Sequence, residues 1–255
     1  MKTRLIPKQF ATETDLGYKN LLVSGCSFTY NNSENSAVTW PYYIKDLAGI
    51  DQVYDCSLPG AGNYHISHSV IWTLETLNLN PADTLVIVMW SCHNRDDAII
   101  SDNSLNGFPM TFSYTDSVVS GISGGNHPES KGNAQTQCIK DMDQIKSIES
   151  RTVENYLYVS MLYHYLRQKQ YKFLFLDYLD RSIPNRGYDF EIRDHLNDDL
   201  KSKYNSMIEY SVENLYRFSI KNDLLDMDDF HPSPDGHLSW TRQHLLPFLR
   251  TNYKL

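Results

Sequence analysis

Short runs of apolar residues alternate along this chain with longer amphipathic stretches, and the two periods separate strands from helices. Asn20-Leu21-Leu22-Val23-Ser24 reads as a buried strand, and Gln52-Val53-Tyr54-Asp55-Cys56 as a weaker one. Thr84-Leu85-Val86-Ile87-Val88-Met89 is apolar nearly throughout, as strands covered on both faces are. Lys172-Phe173-Leu174-Phe175-Leu176 makes a fourth strand and Asp223-Leu224-Leu225-Asp226 a short fifth. Between them, helical spacing relates Trp40, Tyr43, Ile44 and Leu47, and then Ile66, Val70, Leu74 and Leu77 behind Asn63 as N-cap. Val153, Leu157, Met161 and Tyr165 mark another helix, and Leu196, Leu200, Tyr204, Ile208 and Leu215 a longer one. The last helix opens on Ser233 as N-cap with Pro234 at its first position, where no N–H is needed. It carries Leu238, Thr241 and Leu245 inward and is expected to bend or end at Pro247.

Strand and helix thus alternate along the chain, which predicts an α/β fold with a mostly parallel sheet and helices on both faces. Residues 101–150 interrupt the rhythm: they are rich in Ser, Asn and Gly and hold no sustained period. With no repeat and no linker, the reading is one domain over 1–255 carrying an irregular insertion at about 101–150.

Composition narrows the class only slightly. Apolar residues make up 41% and charged residues 21% of 255, ordinary globular usage that excludes collagen-like and disordered chains. The net charge of −8 argues against nonspecific nucleic-acid binding, which runs on clustered Lys and Arg. No apolar run is long enough for a signal peptide or a membrane span, so a cytoplasmic protein without membrane attachment is expected. The four cysteines form no CxxC pair, and reduced thiols are the expectation.

In such sheets function gathers at the carboxyl ends of the strands. The first strand is followed by Gly25-Cys26-Ser27-Phe28-Thr29 and the second by Ser57-Leu58-Pro59-Gly60-Ala61-Gly62-Asn63. The third is followed by Ser91-Cys92-His93-Asn94-Arg95, and the fifth by Asp228-Asp229-Phe230-His231-Pro232. A hydroxyl, a glycine turn, a carboxamide and a carboxylate–imidazole pair are the parts of acyl transfer. Serine needs a base to take its proton, the base needs an acceptor to orient it, and the tetrahedral oxyanion needs donors already aimed at it. Ser27 with His231 as base fits, with Asp228 as orienting carboxylate and Asp229 as the alternative. The donors would be the N–H groups of Ser27 and Gly60 and the Asn94 amide, with Gly62 as the alternative to Gly60. Taken alone, a serine after a strand is more often a turn or cap residue; the distant Asp-x-x-His block is what changes its meaning.

These blocks resemble those of the SGNH (GDSL-type) serine hydrolases. Gly25-Cys26-Ser27-Phe28-Thr29 is similar to the nucleophile block, with Cys26 where many members carry Asp. Leu58-Pro59-Gly60-Ala61-Gly62-Asn63 resembles the second block, and Asp228-Asp229-Phe230-His231-Pro232-Ser233 with Gly236-His237 the last. Trp90-Ser91-Cys92-His93-Asn94-Arg95 departs from the family's Gly-x-Asn-Asp. The resemblance implies a three-layer α/β/α sandwich on a five-stranded, flavodoxin-like parallel sheet. It also implies a serine esterase acting through an acyl-enzyme on small acyl groups, O-acetyl foremost, of a carbohydrate or other polar substrate.

Arg95, His93 and Gly62 are candidate substrate contacts. Asp235 and His237, two apart at a helix start, suit capping and dipole roles, so neither metal nor cofactor is expected. Two other readings stand beside the esterase: an acyltransferase on the same fold, and an idle binding or structural module supported by the altered third block. The oligomeric state is not legible.

Overall fold

The structure is a computed structural model that describes residues 10–31, 38–91, 150–177, 196–226 and 231–254, with the backbone alone of 95–98, 110–115, 118–121 and 148–149. Its centre is a parallel sheet of β1 (Asn20–Ser24), β2 (Gln52–Asp55), β3 (Thr84–Trp90) and β7 (Lys172–Asp177), in the spatial order β2-β1-β3-β7. Leu21 stands beside Val53 on one side and Leu85 on the other, and Ile87 beside Leu174. All seven residues of β3 are buried, which is why its side chains are apolar on both faces.

The order determines where the helices lie. The chain steps outward from β1 to β2, then back across β1 to β3 and on to β7. With right-handed crossovers, α1 (Trp40–Leu47) covers one face, and α2 (Asn63–Leu77) and α3 (Ile148–Gln168) the other. α2 and α3 pack together, while α6 (Pro234–Trp240) packs on α1 and on α5 (Leu215–Lys221). Trp40 and Trp240 meet edge to face across this second layer, with ring centroids 6.3 Å apart. The result is the α/β architecture expected, a parallel sheet flanked by helices.

Several expectations are corrected. The sheet has four strands among the described residues, not five: Leu225 forms only an isolated antiparallel bridge with Pro232. The reason lies at the edge of β7, where alternate carbonyls face away from β3. Phe173 O accepts from Tyr253 Oη at 2.7 Å, Phe175 O from Glu209 N–H at 2.9 Å and Asp177 O from the Asn214 amide at 2.7 Å. Three donors from outside any strand thus take the carbonyls that a further strand would pair with.

The long helix expected over Leu196–Leu215 is two helices, α4 (Asp198–Met207) and α5, since the chain between them runs out to reach Phe175. Asn63 is not the N-cap of α2; Gly62 is, and Asn63 lies in the first turn. Leu77 is exposed at the end of α2, and along α3 the residues at the legible spacing, Val153, Leu157 and Met161, are 44%, 55% and 40% exposed. Thr152, Asn155, Val159, Leu162 and Leu166 form the buried face instead. Pro247 neither ends nor breaks the last helix. The Leu246 N–H reaches back five residues to Thr241 O, so a π turn at Thr241–Leu245 leads directly into α7 (Leu246–Asn252). Such a turn re-registers the backbone just where proline cannot donate.

β4 (Arg95–Ala98), just ahead of the stretch 101–150, and β5 (Met110–Thr115) and β6 (Val118–Gly121), inside it, pair as an antiparallel meander, so the stretch expected to be irregular carries strands. Among the described residues no helix is long and apolar enough to cross a membrane.

Candidate active site

β1 delivers its chain into a tight turn at the point where the strand order reverses. Thr29 and Tyr30 N–H both donate to Cys26 O at 3.0 Å, closing Cys26–Tyr30 into a single turn. Gly25 is required here by space, because a Cβ would run into the Thr29 side chain and come within 3.1 Å of Met89 O. Cys26 is fully buried as a small apolar filler with a free thiol, and Ser27 stands half-exposed beside it.

The β2 end is tied to this turn. Cys56 N–H donates to Val23 O at 2.9 Å, and Leu58 N–H to Gly25 O at 3.1 Å. Asp55 Oδ1 accepts from both the N–H and the hydroxyl of Ser57, the former at 2.9 Å, which folds the chain back toward β1. Gly60 then takes φ +76°, a conformation glycine adopts freely. Neither the Ser27 nor the Gly60 N–H has a backbone acceptor among the described residues.

From the far end of the chain, His231 Nε2 lies 2.7 Å from Ser27 Oγ, across 204 residues of sequence. The imidazole is seated by backbone. Asp226 N–H donates to His231 O at 2.7 Å, Ser233 N–H donates to Leu224 O at 2.8 Å, and Leu225 bridges Pro232. The Ser233 hydroxyl caps α6 by accepting from Gly236 N–H at 3.1 Å, as its place before Pro234 predicts. Gly236 lets α6 approach: a Cβ there would lie 2.8 Å from Leu224 O. Two aromatic rings complete the seat, with Phe28 5.0 Å from the His231 ring and Tyr216 edge-on to Phe28 at 5.7 Å.

His237, one turn into α6, is buried with no partner for Nδ1 among the described residues. Burial first, and then the nearby His231, push its pKa down to about 3, so it is a neutral imidazole at ordinary pH. His65 and His68 contact backbone rather than one another, Nε2 on Cys56 O at 3.3 Å and Nδ1 on Tyr64 O at 3.2 Å.

Of the residues singled out from sequence, Ser27 and His231 are in direct contact, and Gly60 and Gly62 lie in the turn bonded to the Ser27 turn. Asp228, Asp229, His93 and Asn94 lie outside the described residues, and of Arg95 only the backbone, in β4, is described. Sequence reasoning missed two supports of the site, the Phe28–Tyr216 pair and the Asp226–His231 backbone bond, and neither has a sequence signal.

No family model matches the chain, and no curated protein does. Among solved structures, it is similar to a psychrotrophic esterase, EstA, from Pseudoalteromonas sp., at 11% identity over 91% of this chain and 98% of that one, with a TM-score of 0.47. It is also similar to a member of the lipolytic protein G-D-S-L family from Veillonella parvula, at 13% identity over 91% and 98%, with a TM-score of 0.49. An acetyl xylan esterase, AlAXEase, is similar at 9% identity over 88% and 96%, with a TM-score of 0.43.

Proposed function

We propose that the chain is a serine ester hydrolase acting on small acyl esters, O-acetyl groups of a carbohydrate or similar polar molecule foremost. The observation that carries this reading is the 2.7 Å contact between Ser27 Oγ and His231 Nε2 at the carboxyl end of the sheet. Half-exposed hydroxyl–imidazole pairs of this length, seated by fixed backbone, are what nucleophilic catalysis requires.

The Ser27 oxygen attacks the ester carbonyl carbon while its proton passes to His231 Nε2. The C–O bond to the alcohol then breaks, and the imidazolium returns the proton to the departing alkoxide. Water repeats the sequence on the acyl-enzyme, giving the acid and free Ser27. Asp228, or Asp229 in its place, holds the other imidazole nitrogen. The oxyanion is received by the Ser27 and Gly60 N–H groups with the Asn94 amide. That neither N–H has a backbone acceptor among the described residues supports their part, with Gly62 as the alternative to Gly60.

The test is a comparison of wild type with Ser27→Ala on p-nitrophenyl acetate and on short acyl esters of sugars, alongside labelling by a fluorophosphonate. Loss on the order of 10³-fold or more is expected, with labelling confined to Ser27. An unchanged rate in Ser27→Ala would sink the proposal. Product analysis with and without an acceptor alcohol separates hydrolysis from acyl transfer.

A further inference from the structure

Asn63 is buried to 1% exposure in the first turn of α2, three residues after Gly60, and its carboxamide makes three hydrogen bonds. Oδ1 accepts from the Ser91 N–H at 2.8 Å, while Nδ2 donates to Ser91 O at 3.1 Å and to Asn155 Oδ1 at 2.5 Å. Asn155 in turn donates to Arg151 O at 2.7 Å. The amide orientation follows from its partners, since an N–H at Ser91 can be met only by an oxygen. Ser91 is the residue directly after β3, and the two bonds to it imitate a neighbouring strand. One side chain thus joins the start of α2, the carboxyl end of β3 and α3.

We propose that Asn63 is a positioning residue of the active site, holding the Gly60 turn and the end of β3 in one frame. This rests on the ester-hydrolase reading. A donor for an oxyanion is useful only if it is already aimed when charge develops, and a glycine turn has no side chain of its own to hold it. The Gly60 turn is held on its near side by Leu58 N–H on Gly25 O at 3.1 Å and Ala61 N–H on Leu58 O at 3.0 Å. Asn63 is the anchor on its far side. The Ser27–His231 pair is seated by other elements, the β1 turn and the Asp226–His231 backbone, so loss of the anchor should disturb the oxyanion donors and spare the base.

The experiment measures kcat, KM, the pH–rate profile and the affinity for a short trifluoromethyl ketone, whose adduct carries the oxyanion, in wild type and Asn63→Ala. Expected in Asn63→Ala are a kcat about 10–100-fold lower, of the order that small misplacements of catalytic groups cause, KM within about threefold, and the acid limb of the pH profile in place. Ketone affinity should fall in parallel with kcat/KM. Wild-type kcat, or a kcat loss without a matching loss of ketone affinity, overturns the inference. If Asn63→Ala does not fold, Asn63→Asp carries the test: the carboxylate still accepts from the Ser91 N–H but has no donor for Ser91 O or Asn155 Oδ1, and kcat should fall at least about threefold by the same reasoning. Wild-type kcat there overturns it. Ser27→Ala separates the two levels: full activity there ends the hydrolase reading and this inference together, whereas its loss beside an unaltered Asn63 series ends this inference alone.

Discussion

Replacing Gly236 with alanine sets two effects of opposite sign against each other at a position that controls His231. Alanine is the better helix former by about 1 kcal/mol, and Gly236 lies inside α6, so propensity alone predicts stabilisation. Packing predicts the reverse. The added methyl would sit 2.8 Å from Leu224 O, 3.2 Å from Ser219 Oγ and 3.3 Å from Leu224 Cβ. Leu224 O is backbone and already accepts from Ser233 N–H, within the same pairing that brings Asp226 N–H onto His231 O. It cannot retreat without moving the segment that seats the imidazole. Overpacking of this kind costs about 1–3 kcal/mol, so the net effect is a loss of up to about 2 kcal/mol, or up to about 8 °C in Tm at this chain length.

Activity should register the same displacement. A shift of a few tenths of an ångström at Leu224–Asp226 carries His231 away from Ser27 Oγ, and kcat/KM on a short acyl ester should fall about tenfold in the fully folded protein. Calorimetry and steady-state kinetics on Gly236→Ala, Ser219→Ala and the double variant decide the matter. Removing the Ser219 hydroxyl clears only the side-chain contact, so the double variant should recover less than half of either loss. A Gly236→Ala protein with a Tm at or above wild type and an unchanged kcat/KM would refute the reasoning.

Two further outcomes follow from burial. His237 stays neutral in the fold down to about pH 3, whereas an unfolded histidine takes a proton near 6.5, so between those values the unfolded chain binds more protons. Stability therefore falls as pH drops through that window, with a contribution approaching about 1.4 kcal/mol per pH unit, and is unaffected by this group above it. Urea midpoints from pH 4 to 8 should show a shallower acid decline in His237→Leu than in wild type, and parallel curves would contradict the assignment. On α3, Leu157→Gln on the exposed side should change stability by no more than about 0.5 kcal/mol, and Leu162→Ala on the buried side should cost about 2–5 kcal/mol. Equal losses in denaturant titrations would mean that the helix faces the other way.

What the sequence could and could not reveal divides along one physical line. β1 and β3 were legible to the residue or nearly so because a strand covered on both faces must be apolar through its middle, which makes a short continuous apolar run. α3 was legible as a helix but not as to its face. Val153, Leu157 and Met161 repeat at i, i+4 and i+8, as Asn155, Val159 and Leu162 nearly do, and the stripe that is turned inward is the one carrying an asparagine. Asn155 is inward because Asn63 meets it there, a partner 92 residues away that no local period encodes. The lack of a fifth strand among the described residues has the same cause, since Tyr253, Glu209 and Asn214 reach the β7 edge from three separate places and take the carbonyls of Phe173, Phe175 and Asp177.

The site behaves likewise. Ser27 and His231 could be paired from their blocks because a hydroxyl and an imidazole following strands are chemically specific residue types, and the fold brings them to 2.7 Å. Their supports could not, because an aromatic ring, a glycine beside a carbonyl and a buried carboxamide acquire meaning only from what folds against them. Asn63 is the sharpest instance. Its hydrogen-bonding capacity is local and was read as a cap, yet the N-cap position belongs to Gly62, which leaves the carboxamide free to span two other elements. A cap would act on α2 alone, whereas this carboxamide couples the glycine turn to the end of the central strand. That is the physical ground for expecting its loss to appear in kcat as well as in Tm.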